Sequence, residues 1–274
     1  MKRFLFISIL SLCFSTICSC ACLDEIKTFY TSYMTNLLND NSKNRALCER
    51  CLTDGLLTKV QRMVNISGVD PIIRSQDINS DAIRTLNDKN IIDNWYMVSY
   101  LWNEKDSTTI IKIPLKVEKV DEKCKIAYIT PVQNGDQYGD ELLSNCENMK
   151  ACKIDETSGK SFIESFYKVY IASYCAMYKD VNAKLSTLRL SNLSHTALEQ
   201  FGKAELENQK DGFNGYDLLI NNFDFDCMWR RSFKINQLGD NVFQITYQAG
   251  SKTYKIIITI KKQNNRYLID KISL

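Results

Sequence analysis

Apolar residues recur at helical spacing in two separate parts of the chain. Ile26, Phe29, Tyr30, Tyr33 and Leu37 fall on one helix face, and Ile163, Phe166, Tyr167, Tyr170 and Tyr174 repeat the stripe. A second helical stretch is predicted after each, near residues 44–62 and 192–207. Beyond a polar loop the period switches to two. Ile113, Leu115 and Val117 alternate with Lys112, Pro114 and Lys116, and Phe243, Ile245 and Tyr247 alternate with Gln244 and Thr246. Tyr96–Trp102 and Ile256–Ile260 alternate less cleanly, because Met97, Leu101 and Ile257 interrupt them. Turn residues at Glu104-Lys105-Asp106-Ser107, Gly250-Ser251 and Asn264-Asn265 predict antiparallel meanders. Helices first and strands last make each half an α+β unit.

The two halves match as an ordered series of blocks. Ile26-x-x-Phe29-Tyr30-x-x-Tyr33 returns as Ile163-x-x-Phe166-Tyr167-x-x-Tyr170, and Leu52-Thr53-x-x-Leu56-Leu57 as Leu193-Ser194-x-x-Ala197-Leu198. Asp70-Pro71-Ile72-Ile73 with Asp77-Ile78-Asn79 returns as Asp217-Leu218-Leu219-Ile220 with Asp224-Phe225-Asp226. Arg84 then meets Arg231, Tyr96-x-Val98-x-Tyr100 meets Phe243-x-Ile245-x-Tyr247, and the last two strands pair likewise. Chance does not produce matched blocks in one order, so a tandem duplication is expected. Between the copies, Pro131 to Lys160 is rich in Gly, Asn and charge, a linker composition. The expected division is a signal peptide at 1–21, a first repeat at 22–131, a polar linker at 132–160 and a second repeat at 161–274.

The signal peptide is read from Lys2-Arg3 followed by an apolar run from Phe4 to Phe14, too short to span a bilayer. Two processing readings stay open. Ser19-Cys20-Ala21 suits cleavage before Cys22, whereas Ile17-Cys18-Ser19-Cys20 resembles a bacterial lipobox and makes Cys20 a lipidation candidate. The expected location is therefore outside the cytoplasm: the periplasm, or the cell envelope through a lipid anchor. Of 11 cysteines, eight remain beyond Cys20, and an exported chain with an even set is expected to form disulfides, Cys146 with Cys152 first among them. A formal net charge of +3 implies neither a nucleic-acid footprint nor a basic membrane-binding stripe.

The Phe-Tyr helix, the Asp70-Pro-Ile-Ile-Arg-Ser-Gln-Asp-Ile-Asn79 segment and the terminal meander together resemble an uncharacterised bacterial envelope family, often lipoproteins. That resemblance implies two tandem nuclear transport factor two-like (cystatin-like) domains. Each would carry N-terminal helices across a curved antiparallel sheet, cone-shaped, with the Tyr30, Tyr33, Tyr167 and Tyr170 faces looking into the interior. It implies little about function, because such folds host enzymes, transport receptors, immunity proteins and binding modules alike.

Asp70, Asp77 and Arg84, repeated as Asp217, Asp224 and Arg231, are the duplicated polar set. Two carboxylates and a guanidinium can frame a pocket mouth or supply a general base. The same residues also suit structural work, with Asp70 capping a helix that starts at Pro71, and carboxylates fixing loops or pairing with arginine. Trp229 and Arg230 have the composition of an interface anchor, against the alternative of an ordinary strand edge. Cys48-Glu49-Arg50-Cys51 has redox spacing, but no thioredoxin-like context surrounds it, and a local disulfide or a pair of thiols is the simpler reading. His195 is the lone histidine, at an expected helix start capped by Ser194 or Asn192. No metal or cofactor is implied.

The leading expectation is an exported, non-enzymatic binding module for a small molecule or a protein. One alternative is an immunity or inhibitor protein acting through the surface around Trp229. The other is an isomerase or dehydratase-like enzyme using Asp77, Asp224 or His195.

Overall fold

The computed structural model describes residues 4–143, 153–177 and 179–274, with side chains from Cys22 onward. The chain forms two compact units. Unit 1 comprises Met1–Leu57 and Val69–Tyr138, and unit 2 comprises Thr58–Gly68 and Gly139–Leu274.

Unit 1 begins with helix α1 (Phe4–Asn39), followed by α2 (Asn44–Cys51) and the start of α3 (Asp54–Ser67), whose later residues belong to unit 2. Next come a short α4 (Ser80–Arg84) and strands β1 (Asn87–Ile92), β2 (Trp95–Leu101), β3 (Ile110–Val120) and β4 (Lys123–Ile129). Unit 2 contains α5 (Asp140–Leu143), α6 (Gly159–Cys175), α7 (Val181–Asn192) and α8 (His195–Lys210). A 3-10 turn (Cys227–Ser232) then leads into β5 (Lys234–Gly239), β6 (Val242–Ala249), β7 (Lys252–Gln263) and β8 (Arg266–Ser273).

The apolar stripes are the cores. Ile26, Phe29, Tyr30 and Tyr33 of α1 are buried, as are Ile163, Phe166, Tyr167, Tyr170 and Tyr174 of α6. Each faces a four-stranded antiparallel sheet whose strands follow in sequence order. The meander has one more strand than the alternation predicts. β1 and β5 are edge strands with largely exposed polar sequences, Asn-Asp-Lys-Asn-Ile-Ile and Lys-Ile-Asn-Gln-Leu-Gly, so they show no buried face to read. The second helical stretch of the first repeat is interrupted, whereas that of the second repeat is continuous from His195 and is preceded by a further helix, α7, that the periodicity does not predict. Leu52 forms a parallel bridge to Ile126 and Leu193 one to Ile269, so an extended residue separates α2 from α3 and α7 from α8.

The units repeat one another down to irregularities. Register shifts fall at Asn90/Ile92 and Lys116/Val117 in one sheet and at Gln237/Gly239 and Thr259/Ile260 in the other. Thr53 N–H donates to the Ile126 carbonyl at 2.9 Å and Ser194 N–H to Ile269 at 2.8 Å.

Several expectations are corrected. The curved, cone-shaped, nuclear transport factor two-like or cystatin-like sheet is not found: both sheets are flat and open, with β1, β4, β5 and β8 as unclosed edges. Tyr30, Tyr33, Tyr167 and Tyr170 do face the interior, where they are buried. The envelope-family assignment falls with that fold. The signal-peptide and lipoprotein readings find no support either. Helix α1 runs unbroken from Phe4 to Asn39 through a stretch without Gly or Pro. Among the described residues no helix is long and apolar enough to cross a membrane. Within residues 132–143, Asn134 and Leu142 are buried, and the Arg74 guanidinium donates to the Gly135 carbonyl at 2.9 Å.

Candidate functional site

Asp70 and Asp217 each organise the loop between helices and sheet. The Asp70 carboxylate accepts from Ile72 N–H (2.8 Å) and from the Tyr33 hydroxyl (2.7 Å). The Asp217 carboxylate accepts from Leu219 N–H (2.9 Å) and from the hydroxyls of Tyr170 (2.5 Å) and Tyr174 (2.6 Å). No helix starts at Pro71: the side chain mimics a backbone turn two residues on, an Asx turn. The loop then passes through a positive-φ residue, Arg74 (55°) or Asn221 (52°), and closes with a bridge, Asp70 to Ser75 or Asp217 to Asn222. A tyrosine from the second strand seals it, Tyr100 donating to the Ile73 carbonyl at 2.7 Å and Tyr247 to that of Ile220 at 2.6 Å. Burial raises the Asp70 pKa above the ordinary aspartate value, even though Tyr33 and two backbone N–H groups favour the ionised form. In unit 2, Arg189 approaches the same cluster, 2.9 Å from the Tyr170 hydroxyl and 3.5 Å from Asp217.

The remaining members of the duplicated set do not join these aspartates. Asp77 is exposed and accepts from its own neighbour, Ile78 N–H, at 2.8 Å. Asp224 is 1% exposed and bound by Lys59 Nζ at 2.5 Å and Arg62 Nε at 3.0 Å, both from the part of α3 that belongs to unit 2. Arg84 pairs at the surface with Asp81 and with Glu104 at 3.0 Å, and Arg231 reaches Glu141 at 3.7 Å. Trp229 is 3% exposed and stacks on Tyr247 with ring centres 5.9 Å apart, so its indole belongs to the core. His195 is exposed and lies 3.2 Å from Glu199 on the same helix, with Ser194 capping by accepting from Ala197 N–H at 3.3 Å.

Among the cysteines, Cys22 and Cys124 form a disulfide, Cys48 and Cys51 are free thiols, and Cys175 and Cys227 are buried in unit 2. Cys146 and Cys152 lie outside the described residues, and the Cys20 side chain outside the described side chains. Among the described residues no group of three or more His, Cys, Asp or Glu is arranged to hold a metal.

With the tyrosine interiors filled, the hollows lie at the surface of each unit. One of mixed chemistry, about 330 Å³, is lined by Glu164, Lys168 and Ile171 of α6, Arg230, Phe233, and Ile235 of β5. Helical spacing places Glu164, Lys168 and Ile171 on one face of α6, opposite the side that carries Tyr170 and Phe166 inward. Phe233 anchors the apolar wall against Tyr167, 5.6 Å between ring centres. Two cations face one carboxylate there, and that carboxylate also lies 3.9 Å from Lys160. Sequence reasoning singled out Arg230 but not its companions. Lys168 and Glu164 carry no signal beyond their place on the outer face of a helix.

No family model matches the chain, and no curated protein matches it. A solved structure described as a protein of unknown function from Bacteroides thetaiotaomicron VPI-5482 is similar to part of it, with 28% identity and a TM-score of 0.43. The match covers 45% of this chain and 99% of that one.

Proposed function

We propose that this chain is an exported, non-enzymatic binding module whose second unit takes a small amphipathic anion in the hollow between α6 and β5. The observation that carries the reading is the lining itself. Ile171, Phe233 and Ile235 supply apolar lining and Lys168 and Arg230 supply cations to the same lining, in a space within the usual range for small ligands. A carboxylate or similar head would sit between the cations, with a short hydrocarbon or aryl body against the wall. The Cys22–Cys124 disulfide supports residence in an oxidising compartment, where such bonds persist. Of the residues on which an enzymatic reading would lean, Asp224 is closed in by two buried cations and the exposed His195 lies beside Glu199, while Asp77 stays exposed.

The test is a thermal-shift screen of the full chain with medium-chain and aryl carboxylates, and with the matching alcohols. A carboxylate at a hundredfold excess over its Kd stabilises by about 2.7 kcal/mol, or roughly 5–10 °C for a unit of this size. The alcohols are expected to give no shift, and the Lys168→Ala/Arg230→Ala variant is expected to lose the shift. No response across the carboxylates, or a response that survives the double substitution, overturns the proposal.

A further inference from the structure

Unit 1 holds a hollow of about 400 Å³ whose lining includes both a free cysteine and a disulfide-bonded one. Cys51, the last residue of α2, and Cys124 of β4 both face it, with Arg50, Lys123, Asp24 and Glu25 around them. Backbone pairing enforces this proximity: Leu52 bridges Ile126, so Cys51 lies one residue, and Cys124 two, from the same bridge. Cys124 is joined to Cys22 of α1, which is buried. Among the described residues Cys51 is a free cysteine that is only partly buried, whereas Cys48 is enclosed.

We propose that Cys51 is the nucleophile of an intramolecular thiol–disulfide exchange with the Cys22–Cys124 bond. The Cys51 thiolate attacks Sγ of Cys124, the bond between Cys124 and Cys22 breaks, and Cys22 departs as a thiolate that takes up a proton. One disulfide is exchanged for another, so no external oxidant or reductant is consumed. The product joins α2 to β4 through Cys51–Cys124 and releases α1 from its covalent tie at Cys22. Cys48 is unsuited to the same attack, because burial pushes its thiol up to about 12. The charged groups facing Cys51 are Arg50 from its own helix, Lys123 from β4, and Asp24 and Glu25 from α1.

The experiment uses the full chain, purified without reductant and held in native buffer across a pH series with its fold followed by circular dichroism. Samples are acid-quenched, alkylated with N-ethylmaleimide, digested and mapped by mass spectrometry. The expected result is a Cys51–Cys124 linked peptide, with alkylated Cys22 rising in proportion. Its rate of appearance should climb as pH rises across the series, because the thiolate is the attacking species. Cys48→Ser should keep the exchange and Cys51→Ser should abolish it. A map showing only Cys22–Cys124 with Cys51 fully alkylated at every pH overturns the proposal, and so does a Cys48–Cys124 link formed at the wild-type rate in the Cys51→Ser variant.

Discussion

Asp77 and Asp224 occupy matching places in the two repeats, and substituting each by asparagine separates a buried charge cluster from a surface carboxylate. Lys59 and Asp224 are each 1% exposed and Arg62 is 7% exposed, with the carboxylate bridging the two cations at 2.5 and 3.0 Å. Asp224→Asn keeps the shape but leaves two cations facing a neutral amide, with Asp226 as the remaining nearby carboxylate acting on Lys59. Removing one partner of a buried ion pair typically costs about 3–5 kcal/mol, because the remaining charge keeps its desolvation penalty. For a unit of this size the expected fall in melting temperature is about 6–20 °C. Asp77→Asn removes one exposed hydrogen-bond acceptor and is expected to stay within about 0.5 kcal/mol of wild type. Urea unfolding of the full chain, followed by circular dichroism with the disulfide intact, measures both. A loss below about 1 kcal/mol for Asp224→Asn, or equal losses for the two variants, would refute the argument.

Trp229→Ala opens space between Phe225 and Tyr247 and is expected to cost about 3–5 kcal/mol in thermal or urea unfolding, whereas a surface anchor would leave stability unchanged. Arg84→Ala breaks only exposed pairs with Asp81 and Glu104 and is expected to fall within about 0.5 kcal/mol in the same assay. Tyr247→Phe strands the buried Ile220 carbonyl without its 2.6 Å donor, a loss of about 1–3 kcal/mol, with near-native far-ultraviolet circular dichroism. Because burial raises the Asp70 pKa, the folded state holds a proton to higher pH than the unfolded state. Stability contributed at this site therefore falls as pH rises from the ordinary aspartate value through the raised one. Asp70→Asn should flatten that part of the urea-midpoint profile, and parallel wild-type and variant curves would contradict the sign.

Periodicity made legible whatever faces inward. The α1 and α6 stripes and the β2, β3, β6 and β7 alternations are buried because a packed core needs apolar residues at the pitch of the element that supplies them. Strands β1 and β5 escaped the same reading, since an edge strand with a solvated sequence satisfies only half its backbone and buries almost nothing. The turn at Asp121-Glu122 escaped it too: both residues adopt positive φ, at 50° and 63°, without the Asn or Gly that announces such a turn at Asn264-Asn265. The candidate hollow was legible only at Arg230, because its other members are separated in sequence and meet through packing alone.

The duplicated aspartates show why a matched motif does not fix a shared role. Asp70 and Asp217 keep one task, because the tyrosine donors and the positive-φ residue that give the loop its shape are also duplicated. Asp77 and Asp224 match equally well by position, yet only Asp224 has Lys59 and Arg62 beside it. Those cations come from a stretch of α3 whose sequence belongs to the first repeat and whose packing belongs to unit 2. A carboxylate closed in by two cations gains a stabilising role and loses access to solvent and to any substrate, whereas its exposed counterpart accepts from the neighbouring Ile78 N–H. Divergence between the repeats therefore acts through the partners around a retained residue as much as through the residues replaced. Functional asymmetry should accordingly be sought where one unit holds a constellation that the other lacks, as with Lys168 and Arg230 in unit 2 and Cys51 beside the Cys22–Cys124 bond in unit 1.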